Sequence, residues 1–243
     1  MLFGLFRFDW TILIVLPALF ISIWAQIKVS STYHKYSSVR TKRNVTGYAA
    51  ARAILDANGL HYVKIEHVRG HLTDHYDPRA NVIRLSDSVY GSDSAAAVGV
   101  AAHEAGHAVQ HATGYFPIKV RSAIIPVTKI GSALAMPIFV VGLILTNLAY
   151  IDLAAGSVIM VAGILLFSLT ALFQLVTLPT EFNASSRALK TLEESGILYK
   201  EEIEGARKVL SAAAMTYVAA LASSLASLFR LIVIANGASN RRR

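Results

Sequence analysis

Residues 103–107 read His-Glu-Ala-Gly-His, two histidines four positions apart with a glutamate directly after the first. On an α-helix, side chains at that spacing stand one above the other on one face. Two imidazoles so placed can reach a single metal ion with bonds of about 2.1 Å. Glu104 then lies beside the ion rather than on it, where its carboxylate can take a proton from water. The pattern is that of metal-assisted hydrolysis, with His103 and His107 as ligands and Glu104 as general base. The residues just before it, Ala95 to Ala102, are apolar and uncharged, so this helix belongs in a core. An unpaired histidine or glutamate there is costly, which disfavours the plain reading of three solvent-facing polar residues. His111 continues the same face, but at 1.5 Å per residue it lies about 12 Å along the axis from His103, too far to share the ion. A longer three-histidine pattern needs a histidine at position 113, where the chain has Thr113.

A catalytic zinc usually takes three protein ligands and keeps one position open. The chain has no cysteine, which excludes thiolate ligands, disulfides, iron–sulfur clusters and a thiol nucleophile. Glu181, in LPTEFNASSRA, is the acidic residue to consider. Two apolar blocks separate it from the His-Glu-x-x-His region, so both regions emerge on the same membrane face. The other reading of Glu181 is a carboxylate at a helix start, favoured by the dipole, and the residues alone leave both open. Glu193, Glu194, Glu201, Glu202 and Glu204 lie among lysines and arginines and read as a solvated face. His71, Asp74 and His75 read as solvated residues flanking a turn. Arg187 is a candidate to hold an oxyanion, although a structural ion pair is its more ordinary role.

The elements that must position these residues follow from composition. Of 243 residues, 54% are hydrophobic and 16% charged, against roughly a quarter charged in soluble domains. The apolar residues gather in four uncharged blocks, Trp10–Ile27, Ile130–Tyr150, Leu153–Leu178 and Val209–Phe229. A helix of about 20 such residues crosses a bilayer. The first block reads as an uncleaved anchor rather than a signal peptide. Only Ile151 and Asp152 separate the second and third, which predicts a tight hairpin. Arg230 follows the fourth directly, with Leu231 to Ala235 apolar again, so where that span ends stays open. Between the spans, Thr46 caps a helix reaching Asn58, with Gly59 as its stop. Tyr62–Val68, Leu72–Tyr76 and Val82–Leu85 read as strands, with a turn at Asp77 to Asn81. Ser92 caps the long helix that ends at Gly114, and Pro179 and Thr180 start a helix that Gly196 stops.

The expected fold is therefore a mainly α integral membrane protein of about four transmembrane helices with a small α+β zincin-like metallopeptidase domain. Its segments are 1–27, the first span; 28–129, the metallopeptidase region; 130–178, a transmembrane hairpin; 179–208, the third-ligand region; and 209–243, the fourth span and a basic tail. The net charge of +8 points to anionic lipid headgroups, with no nucleic acid partner expected. Lys28, Lys35, Arg40, Lys42 and Arg43 follow the first span and only Arg7 precedes it; Arg241, Arg242 and Arg243 argue the other way if the fourth block spans, but by the positive-inside rule the larger set puts the catalytic regions in the cytoplasm.

AAHEAGHAVQH, LTDHYDPR, VIRLSDSVY and LPTEFNASSRA together resemble the YugP-type membrane zinc metallopeptidases, and the similarity runs over most of the chain, spans included. The resemblance implies a gluzincin-like endopeptidase with one catalytic Zn²⁺ ion held by His103, His107 and Glu181. Glu104 would be the general base, and the substrates peptides or proteins, membrane proteins among them. In peptidases of this kind an edge strand pairs with an extended substrate, a role that would fall to the LTDHYDPRANVIRLS hairpin. The chain is more distantly similar to the HtpX-type membrane proteases, whose ligand glutamate begins an E-x-x-x-D pattern. Ser185 stands at the Asp position, so the partner that orients a zinc histidine would differ here or lie elsewhere. Two other classes compete with the enzyme: a non-catalytic membrane scaffold with a structural metal site, and a lipid-surface module using the basic loops. An intact Glu104 speaks against the scaffold, because a structural site needs no base.

Overall fold

The structure is a computed structural model that describes residues 9–147 and 153–240. The elements run α1 (Ile12–Ser37), α2 (Gly47–Ala57), β1 (Lys64–Val68), β2 (His75–Asp77), β3 (Val82–Ser86), α3 (Ala95–Ala112), α4 (Phe116–Asn147), α5 (Leu153–Ser195) and α6 (Lys200–Asn240). Helices α1, α4, α5 and α6 are long and apolar enough to cross a membrane. The protein is thus a mainly α membrane protein with a small α+β part. The expected hairpin at Ile151 and Asp152 lies outside the described residues. The chain forms two units, one of residues up to Trp24, Ala123–Val176 and residues from Val218, the other of Ala25–Ser122 and Thr177–Tyr217.

In the first unit large apolar side chains point outward, Phe20 at 66% exposure and Leu165 at 63%. That is the surface of helices meant for lipid. Small residues let α4 and α5 close on each other. A Cβ on Gly142 would lie 2.5 Å from the Met160 amide nitrogen, one on Gly156 2.7 Å from that of Thr146, and one on Gly163 2.7 Å from that of Phe139. The partners run in opposite order, so the two helices are antiparallel. Arg230 does not end α6. Its guanidinium donates to Asp9 Oδ2 at 2.6 Å and Thr11 Oγ1 at 3.0 Å, and the helix continues to Asn240.

The second unit is a three-stranded sheet, ordered β1-β3-β2, packed with α2, α3 and segments of α5 and α6. β1 pairs with β3 in parallel and β2 with β3 antiparallel, which leaves β2 as an edge. Ile83 and Leu85 of the central strand meet Ile54 and Leu55 of α2 and the small residues Ala101, Ala102 and Ala105 of α3. β2 begins at His75 rather than Leu72. Leu72 has φ 54°, outside strand geometry, and Asp74 accepts from the Ser86 N–H and Oγ, which holds that stretch as a loop.

Two helix starts differ from the sequence expectation. Ser94, not Ser92, caps α3, accepting from the Ala97 N–H at 3.2 Å, while the Ser92 hydroxyl donates to it. The Ala95 N–H reaches back to the Val39 carbonyl at 2.8 Å, and that long-range bond fixes the start. Nor does a helix begin at Pro179, because α5 runs through it without a break. Membrane helices tolerate an internal proline where packing offsets the lost hydrogen bond. Beyond Pro179, Ala184, Ala188 and Leu192 are fully buried, which is packing of that kind.

Gly106 governs how α5 meets α3: a Cβ there would stand 2.3 Å from the Ala184 carbonyl oxygen. Gly106→Ala should therefore destabilise the fold by about 1–3 kcal/mol, the usual cost of overpacking. Gly91→Ala, where nothing lies within 4 Å, should leave it unchanged. Thermal unfolding of the two variants in the same detergent measures the difference.

Candidate active site

The close approach at Gly106 puts one face of α5 against the His-Glu-x-x-His face of α3. Glu181 lies three residues before Ala184 and Ser185 directly after it, so both meet the histidines. His103 Nε2 is 3.1 Å and His107 Nε2 3.6 Å from Glu181 Oε2. The donor atoms of His103, His107 and Glu181 all lie within 4.8 Å of one another. Glu181 sits in the interior of α5, beyond the reach of a helix-start dipole.

Each donor is held from behind. His103 Nδ1 is 3.0 Å from Ser185 Oγ, so the serine that replaces the expected aspartate is itself the partner of this ring. His107 Nδ1 is 3.0 Å from Gln110 Oε1. The Gln110 amide donates to the Thr180 carbonyl at 2.7 Å and to Asn183 Oδ1 at 3.0 Å. Both its hydrogens are thereby committed, so Oε1 can only accept, His107 Nδ1 must donate, and in a neutral ring Nε2 keeps its lone pair. Glu181 Oε1 takes the Arg121 guanidinium at 2.8 Å, and Tyr217 lines the same cavity as this carboxylate.

The donor set fits zinc. Two ligand atoms on a tetrahedral ion with bonds of about 2.1 Å are about 3.4 Å apart, and the separations of 3.1 and 3.6 Å straddle that value. Two imidazole nitrogens and one carboxylate oxygen are the ligands of a catalytic zinc with a position to spare. The electrostatics also call for a cation. Burial alone would raise the Glu181 pKa, yet the hydrogen bonds and charge of His103 and His107 hold it well below the carboxylate range. Burial opposes a charged His107, but the Glu181 hydrogen bond and the Glu104 and Glu181 charges push its pKa up.

Glu104 stands outside the donor set. Its Oε2 accepts the backbone N–H of Tyr76, on edge strand β2, at 2.9 Å. His111 packs against the Tyr76 ring, 5.5 Å between centroids, away from the donors. Burial and the charges of His107 and Arg121 hold its pKa down. His71 lies edge-on to Tyr33, His75 Nδ1 faces the Thr73 carbonyl, and Asp74 is engaged with Ser86. Arg187 makes no ion pair among the described residues; it donates to Asn183 Oδ1 at 2.7 Å and lies over the Tyr115 ring. Glu202 departs from the expected solvated face. It is buried and accepts the N–H groups of Tyr199 and Lys42, closing the first turn of α6.

Sequence reasoning passed over Gln110, Arg121, Tyr217 and the Tyr76 N–H. Gln110 carried a faint signal, a lone amide one turn after His107 on an apolar helix. The others reach the site only through tertiary contact. Because Gln110 fixes the His107 tautomer, Gln110→Leu should weaken zinc binding about 10–100-fold, the usual effect of losing such a partner. Competition with a chromogenic chelator reads this directly, with helicity by circular dichroism as the folding control.

Residues 11–236 match the family model described as "Putative neutral zinc metallopeptidase". The chain is also 47% identical to "Putative membrane protease YugP" of Bacillus subtilis (strain 168), over 223 residues that make up 92% of this chain and 95% of the relative. No solved structure matches. The family match takes in α1 through α6 and every residue of the donor set, and the chain belongs to this neutral zinc metallopeptidase family.

Proposed function

We propose that the protein is a membrane-embedded zinc endopeptidase that hydrolyses peptide bonds with water. The observation that carries this reading is the convergence of His103, His107 and Glu181 with Glu104 held just outside them. When bound, one zinc ion supplies the Lewis acidity that activates water and polarises the scissile carbonyl. His103, His107 and Glu181 hold the ion, and Ser185, Gln110 and Arg121 hold those three in place. Glu104 accepts the proton of the attacking water on a carboxylate oxygen and delivers it to the leaving amine. Its bond from the Tyr76 N–H fixes the carboxylate beside the edge strand, where an extended peptide would pair with β2. The Tyr217 hydroxyl, which lines the same cavity as Glu104 and Glu181, is the donor we assign to the developing oxyanion.

The competing scaffold reading needs a closed site, since structural zinc is four-coordinate with protein ligands. Here the described donor set stops at three, and a carboxylate suited to proton transfer adjoins it. A panel of purified variants separates the roles. Glu104→Gln should keep stoichiometric zinc and lose casein cleavage. Tyr217→Phe should keep zinc and lose about 10²–10³ in kcat, the usual cost of one oxyanion donor. Glu181→Ala should lose zinc, while Glu193→Ala on the same helix should not. Near-normal turnover in Glu104→Gln rules out the general-base role, and equal zinc in the two alanine variants, by elemental analysis, rules out Glu181 as ligand.

We also place the site on the cytoplasmic face, because Lys28, Lys35, Arg40, Lys42 and Arg43 follow the first span. The chain lacks cysteine, so Gly91→Cys gives a single thiol at an open position. A membrane-impermeant maleimide should label it only after permeabilisation; labelling on intact cells reverses the orientation.

A further inference from the structure

A cavity of about 200 Å³ opens beside the donor set, with His103, Glu104 and Glu181 in its wall. The rest of its lining is mostly apolar: Val29 of α1, Val100 of α3, and Val209, Leu210, Ala213 and Ala214 of α6. Its shape follows from the sequence of α6. Leu210, Ala213, Ala214 and Tyr217 fall at i, i+3, i+4 and i+7, which is one helix face. The two alanines in the middle of that face leave the hollow. A dry cavity of about 150 Å³ admits a benzene ring, so this one has room for a leucine or phenylalanine side chain.

We propose that this cavity is the subsite for an uncharged apolar side chain on one of the two residues flanking the scissile bond, with Ala213 and Ala214 setting its depth. The inference rests on the peptidase reading above and adds the substrate class. Two features select against polar occupants. Two polar side chains of the lining are engaged inside the protein, Ser185 with His103 and Asp74 with Ser86. A polar side chain entering a cavity lined mostly by Val29, Val100, Val209, Leu210, Ala213 and Ala214 would give up water for few partners. Outside the donor set, the charged groups that line the cavity are Asp74 and Glu104, both acidic, which disfavours an acidic side chain there. A basic side chain is the one rival, through Asp74, but both oxygens of that carboxylate already accept from Ser86.

The test uses the full-length zinc-loaded protein in detergent and peptides differing at one residue beside the scissile bond: Ala, Leu, Phe, Asn, Lys or Asp. Two readouts are taken, kcat/KM for the wild type and binding by fluorescence anisotropy to Glu104→Gln. Leu and Phe peptides should exceed the Asn, Lys and Asp peptides by at least about tenfold in both, the scale of hydrophobic pocket discrimination. Adding Ala213→Leu should invert the order in favour of Ala, and Ala213→Val should move it part of the way, with zinc content unchanged. A preference for Lys, or an order that neither substitution alters, overturns the subsite. The two readings fail separately. Absence of cleavage by the zinc-loaded wild type sinks the peptidase reading, while the binding order and its response to Ala213→Leu still decide the cavity.

Discussion

The backbone contact between α3 and α5 at Gly106 is the constraint on which the site depends. With no side chain at this position, the Ala184 carbonyl can lie where a Cβ would otherwise be. That closeness lets a short carboxylate, Glu181, reach imidazoles on the neighbouring helix and lets Ser185 meet the Nδ1 of His103. Gly99 repeats the device two turns earlier on α3, where a Cβ would be 3.3 Å from the Ala206 Cα of α6. The run of small residues in α3 therefore does more than fill a core: it sets the distance at which the donors converge.

Convergence creates an electrostatic problem that the surrounding residues resolve. Glu181 is 2% exposed, and a buried carboxylate without partners is strongly unfavourable. Arg121 holds one of its oxygens, and His103 and His107 face the other. Arg121 matters most for direction. By holding Oε1 it turns Oε2 toward the two imidazoles, so the oxygen left for a cation is the one the histidines share. The Gln110 network does the same for His107, linking the ring through one amide to Thr180 and Asn183 of α5. Helices α3 and α5 are thus joined by polar bonds as well as by packing, and a shift of either would disturb ligand geometry and core together.

The long helices serve two purposes within single elements. The helix that carries the third apolar block also carries Glu181, Asn183 and Ser185, and the one that carries the fourth supplies Tyr217 and the alanines of the cavity. Such continuity explains why Pro179 does not interrupt α5. A break there would leave the direction of Glu181 to a loop, whereas a helical backbone on both sides fixes where its carboxylate points. Sites built on regular elements keep their geometry more closely than sites on loops.

The sequence by itself determined what depends on near neighbours. The helical period put His103, Glu104 and His107 on one face, the four uncharged blocks made the spans, and Thr46, Gly59, Gly114 and Gly196 marked helix ends where the structure has them. Tertiary structure decided whatever had two equivalent local answers. Ser92 and Ser94 have the same capping chemistry, and the bond from Ala95 to the distant Val39 carbonyl chose between them. Pro179 and Thr180 have the local pattern of a helix start, and only the packing of α5 on α3 shows that the helix passes through. Glu181 could as well have been a dipole-stabilised carboxylate; its neighbours come from 60 to 78 positions away in the chain, a separation that no local pattern encodes. Arg121 and Tyr217 had no motif at all: one reaches the Glu181 carboxylate and the other the cavity beside it, and neither place exists until α3, α4, α5 and α6 are assembled.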